Sequence, residues 1–172
     1  QRRGRRGTFY SASHLHQPQH SQQPLFYSTM AGHSDDTTQA LIEPTRCVIE
    51  PNNCPLEAPL HVELEFDALC DLPSVFWEIT FIADQTNKRQ HVKLGQTEVQ
   101  VMQAGPNAMT FSIDAVDVSA LKKHVLTNVG LLALDLWDTA RPEEPLVRVG
   151  MVTNVLEDPS GQLIRDIFDP LG

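Results

Sequence analysis

Residues 61–66 read HVELEF, and the alternation is strict: Val62, Leu64 and Phe66 fall on one side, His61, Glu63 and Glu65 on the other. Side chains with a period of two bury one face only along an extended strand; a helix would scatter the same residues around its circumference. Such a strand is unstable alone, because its apolar face needs a second layer.

Candidates for that layer recur at short intervals. FWEITFI (76–82) is rich in β-branched and aromatic residues. KLGQTEVQVM (93–102) alternates more loosely, and AMTFSI (108–113), GLLALDLW (130–137) and VRVGMVTNV (147–155) follow. Turn signals separate them at Asp71–Pro73, Thr86-Asn87, Gly105-Pro106 within AGPN (104–107), and Arg141-Pro142. This spacing predicts an all-β fold, an antiparallel sandwich over residues 46–172. A short helix is predicted at 117–124, capped by Asp117, with Lys122 and Lys123 in its last turn.

Residues 1–45 differ in kind. They are rich in Gln, Ser, His and Thr, with little apolar periodicity, and predict a disordered tail. The start carries Arg2, Arg3, Arg5 and Arg6 without an acid before Asp35, as in a transit peptide or a short nuclear signal. MAGHSDD from Met30 reads as a natural protein start, and the favoured reading takes residues 1–29 as upstream sequence or a fragment's scar. His14, His16 and His20 lack acids or cysteines beside them and make a weak metal site, so no metal or cofactor is expected.

From residue 35 onward the chain holds all 22 acids and 9 of the 13 bases, a net charge of −13. That balance repels nucleic-acid phosphates and attracts basic partners. Cys47, Cys54 and Cys70 are odd in number and form no C-x-x-C pair, and no N-x-S/T acceptor occurs, which points to a reducing intracellular compartment. No apolar run reaches the roughly 18 residues of a membrane helix.

No nucleophile elbow, phosphate-binding glycine loop or metal-ligand spacing is present, so the sequence predicts a binding protein rather than an enzyme. Asp135, between Leu134 and Leu136, reads as a surface residue. On GLLALDLW, Leu132, Leu134 and Leu136 form a core face, while Val129, Leu131, Ala133 and Asp135 form the other. On VRVGMVTNV, Val147, Val149 and Met151 face the core; Arg148, Gly150 and Val152 face away. If the two strands pair, Val129, Leu131 and Val152 surround one arginine, the anatomy of a protein-binding site. Gly150 would then let a partner approach closely. The competing reading is a face covered by another sheet or loop, with Arg148 at its rim. On the first reading Arg148 is solvated, and replacing it should move stability by only about 0.5 kcal/mol.

The order VIEPNNCPLEAPLHVELEF, FWEITFI, QAGPNAMTFSID and LVRVGMVTNV resembles the anti-silencing-function histone chaperones, from about residue 47 to 158. The matching positions are Asn52, Pro55, Pro59, Glu63, Phe66, Trp77, Gly105, Phe111, Asp114, Arg148, Val149, Gly150 and Asn154. The resemblance implies an immunoglobulin-like sandwich in the nucleus that binds the dimer of histones three and four. Arg148, Val129, Leu131 and Val152 would take the C-terminal helix of histone three. It also implies exchange with other chaperones and with replication or transcription assembly factors. The chain departs from the family pattern in places. Acids around the face fall on Thr86, Lys88, His91 and Val125, and the tyrosine pair after the glycine is Met151 and Val152. The acidic pair that binds other chaperones is replaced by Pro73 and Ser74. LIRDIFDPLG resembles a helical stretch that precedes a terminal strand in the family. The alternative to a histone chaperone is an immunoglobulin-like interaction module with a non-histone partner.

Overall fold

The HVELEF alternation is realised as the middle strand of a three-stranded sheet. The computed structural model describes residues 27–28, 40–85, 87–169 and 171, which form eleven strands and one short helix. In chain order the strands are β1 (Tyr27–Ser28), β2 (Ile42–Glu50), β3 (Cys54–Pro55), β4 (Leu60–Ala68), β5 (Leu72–Ala83), β6 (Gln90–Gln96), β7 (Gln100–Met102), β8 (Gly105–Ile113), β9 (Gly130–Asp138), β10 (Val147–Glu157) and β11 (Leu163–Ile167). The helix α1 (Lys123–Leu126) precedes β9. One sheet has the order β2-β4-β8; the other runs β3-β11-β10-β9-β5-β6, with β1 added to β10 and β7 to β5. Every pairing is antiparallel.

The two sheets form an immunoglobulin-like sandwich around one core. Val62, Leu64 and Phe66 of β4 are buried, as are Trp77, Ile79 and Phe81 of β5, Leu132, Leu134 and Leu136 of β9, and Val147, Val149 and Met151 of β10. Phe66 and Trp77 meet edge to face at 5.5 Å between ring centres, 68° apart, a geometry that aligns a positive ring edge with a negative ring face. Trp77 also pins the chain that follows β6. Its N–H donates to the Thr97 hydroxyl (2.9 Å) and its carbonyl accepts from the Thr97 N–H (2.8 Å). The stretch read as one strand, 93–102, is therefore two. β6 pairs with the second half of β5 and β7 with the first half.

Other expectations shift. The first strand begins at Ile42, upstream of the boundary drawn at residue 46. β5 starts at Leu72, so the turn before it lies earlier than Asp71–Pro73. Asp117 does not cap a helix: its carboxylate accepts from the backbone N–H (3.0 Å) and hydroxyl (2.6 Å) of Ser119. Val116 and Val118 are both buried, an alternation that keeps this stretch extended and delays the helix to Lys123. LIRDI forms strand β11 and not a helix. The histidines at 14, 16 and 20, and the expected disordered tail up to residue 39 apart from 27–28, lie outside the described residues. No helix is long and apolar enough to cross a membrane among the described residues.

Candidate functional site

The antiparallel register places the outward side chains of the larger sheet in rows across its strands. Glu78 of β5 lies opposite Asp135 of β9, which lies opposite Arg148 of β10. The next row is Thr80, Ala133 and Gly150, and the next Ile82, Leu131 and Val152. β9 and β10 therefore pair as their sequences require, and Arg148, Leu131 and Val152 share a face. Val129 stands just ahead of β9, its carbonyl accepting from the Gln85 N–H at 2.9 Å. Val129 is 45% exposed and Val152 41%. Leu131 is half-buried. This end of the sheet is open over Val129 and Val152, while Ile82 at the β5 end of the same row is buried.

Two members of the expected site change role. Ala133 is fully buried and presents nothing to a partner. The space above Gly150 is not free: a Cβ there would meet both methyl groups of Leu131 at 3.3 Å. The missing side chain at Gly150 makes room for Leu131, which leans across the strand.

The larger correction concerns Asp135. It is a buried residue, not a surface one, with 4% of its side chain exposed. Arg148 Nε donates to its Oδ1 at 2.6 Å and Arg148 Nη2 to its Oδ2 at 2.7 Å. This bidentate pair satisfies both carboxylate oxygens, and its hydrogen bonding raises the Arg148 pKa further. Burial opposes that rise, and the charge of Asp135 adds to it. A mirror arrangement stands next to it: Lys93 Nζ reaches Glu78 Oε2 at 2.6 Å. Two acids on adjacent strands would repel, but each has a cation on its outer side. Lys93, opposite Thr80 in the next row, reaches Glu78 diagonally, and the four charges Lys93, Glu78, Asp135 and Arg148 sum to zero.

β11 extends the apolar row in a way the sequence reading missed. The Phe168 N–H donates to the Val152 carbonyl at 2.9 Å, which sets Phe168 beside Val152 with 52% of its surface exposed. Leu156 and Ile164, paired across β10 and β11, continue the face. No clean pattern marks this strand, because polarity and direction are inverted on it. Arg165 points inward and is buried, donating to the carbonyls of Leu56 (2.8 Å), Ala58 (2.9 Å), Pro51 (3.3 Å) and Pro59. Burial without a carboxylate lowers its pKa, with the nearby Cys54 acting in the opposite direction. Asn52 clasps the same strand, donating to the Ile167 carbonyl (2.8 Å) and accepting from the Ile167 N–H (2.9 Å). The Asn52–Pro59 loop is therefore the brace that holds β11, and Phe168 with it, beside β10.

The surroundings are short of acids. Lys88 and His91 are exposed, Val125 packs against the core, and Thr86 lies outside the described residues. Pro73 and Ser74 sit where β5 shifts register against β7. Pro73 is exposed, and the Ser74 and Thr139 hydroxyls are hydrogen-bonded at 2.7 Å.

No match was found among curated proteins. A protein-family comparison matches residues 39–163 to the family described as ASF1 like histone chaperone. That match runs from the residues just before β2 to the start of β11 and includes the whole β9–β10 pair, so the chain belongs to the ASF1-like histone chaperone family.

Proposed function

We propose that this chaperone binds the dimer of histones three and four with the outer face of β9, β10 and β11. The C-terminal helix of histone three would lie on Val129, Leu131, Val152 and Phe168, with Arg148 at the margin. The observation that carries the reading is the open apolar row beside a fork-held arginine on a domain of strong negative charge. The apolar row supplies the desolvated centre of an interface, and the net charge speeds capture of a basic partner. By covering the surface through which histones three and four form tetramers, the protein would hold them for delivery to assembly factors in the nucleus. Exchange with other chaperones through the Pro73–Ser74 edge would be weak, since that edge lacks acids.

The test is a calorimetric titration of the full chain with the dimer of histones three and four, run beside the dimer of histones 2A and 2B. Tight binding of the first alone, lost in Val152→Arg with the melting curve unchanged, is the expected result. Equal binding of both dimers would reduce the reading to charge attraction. No binding of either would favour a non-histone partner, the alternative that Lys88 and His91 on this side of the sheet make concrete.

A further inference from the structure

We infer that Asp135 is a positioning residue for partner recognition: it holds the Arg148 guanidinium side-on, so that the opposite edge is presented to a carboxylate of the bound helix. The inference rests on the proposed reading of this face and adds a residue, and a chemistry, to it.

A guanidinium has five N–H donors in a planar fork. Asp135 takes the edge formed by Nε and Nη2. The edge that includes Nη1 has no bond to any described residue, and 31% of the Arg148 side chain is exposed while Asp135 is almost wholly covered. Nη1 is the nitrogen that Asp135 leaves to a partner, on a strand whose other side pairs with β1 at Arg148. An unrestrained arginine loses rotamer freedom when it binds, and a fork already fixed in the protein loses less. The row behind it gives direction. Glu78 and Asp135 lie together across β5 and β9, each already paired with its own cation, so a partner carboxylate is directed to the part of the Arg148 fork that Asp135 leaves unused. The surface thus fits an amphipathic helix that sets a carboxylate at Arg148 and an apolar stripe over Leu131, Val152 and Phe168.

The experiment uses the full chain, the dimer of histones three and four, and the variants Asp135→Asn, Arg148→Lys and the double variant. Titrations are run at a temperature where melting curves show each protein folded. Asp135→Asn keeps the volume and removes the charge that fixes the fork. It should weaken binding roughly three- to tenfold, the factor expected when one long side chain has to be ordered at an interface. Arg148→Lys, which keeps the cation and loses the fork, should weaken binding at least as much. The double variant should be little worse than Arg148→Lys alone, because both substitutions remove one device. In the nuclear magnetic resonance spectrum, the Arg148 Nε–H should be protected from solvent exchange in the wild type and exposed in Asp135→Asn. Unchanged or tighter binding by Asp135→Asn would overturn the positioning role, since Asp135 would then only compete with the partner for Arg148. Additive losses would overturn it too. Failure of the wild type to bind the dimer would sink the histone reading and this inference together, whereas wild-type binding that Asp135→Asn leaves intact sinks the inference alone.

Discussion

Replacing Arg148 with alanine should destabilise the fold as well as weaken binding, and the size of the loss follows from Asp135. Removing the guanidinium takes both hydrogen bonds from a carboxylate that is 4% exposed. Stranding one member of a buried ion pair costs about 3–5 kcal/mol. The Arg148 side chain is 31% exposed, so water enters the vacated space and resolvates the acid in part. We therefore expect about 2–4 kcal/mol. For a domain of this size about 1 kcal/mol corresponds to about 3–4 °C, so the melting midpoint should fall by about 6–16 °C. The assay is thermal unfolding followed by circular dichroism at neutral pH and moderate salt. The double variant Asp135→Asn/Arg148→Gln removes both charges and leaves two amides able to bond each other; it should recover most of the loss. A midpoint for Arg148→Ala within a degree or two of wild type would refute the reasoning, because it would mean the carboxylate is already solvated. A double variant as unstable as the single one would also refute it, by placing the cost in the packing of the arginine stem.

Three further outcomes are expected. Phe168→Ala should weaken binding of the histone dimer several-fold with little change in stability, because the ring is half exposed beside Val152, while Leu69→Ala, equally exposed outside this face, should have no effect in the same titration. Pro73→Glu should raise the affinity of basic peptides for the surface around Pro73 and Ser74 at low ionic strength and lose that gain as salt is added, since charges at a rim act through screened fields; fluorescence anisotropy measures both. Burial pushes the Cys47 thiol from 9.0 up to about 11, so the folded state holds a proton that the unfolded state releases. The stability this contributes is whole below about pH 9 and is lost as pH rises through about 11. Melting curves of wild type and Cys47→Ala should diverge in that alkaline window and run parallel below it.

The strands and their inner faces were legible in the sequence because alternation is local. HVELEF, the leucines at 132, 134 and 136, and the valines at 147 and 149 each state their own buried side within a few residues. Once two such strands pair, Leu131, Val152 and Arg148 have to share a face, and the candidate surface followed from that. What the residues around them do depends on register and depth, which are properties of the assembled sheet. Asp135 looked solvated because its neighbours in the chain are leucines; its partner, Arg148, is thirteen residues away and lies opposite only in one register. Arg165 inside and Phe168 outside reverse the ordinary rule, and they do so because four carbonyls of a distant loop receive the cation. The buried Val116 and Val118 outweighed the cap signal at Asp117 and displaced the helix. Local pattern determines which side of a strand is apolar; only the tertiary structure decides which polar groups find partners, and so which of them remain available for binding.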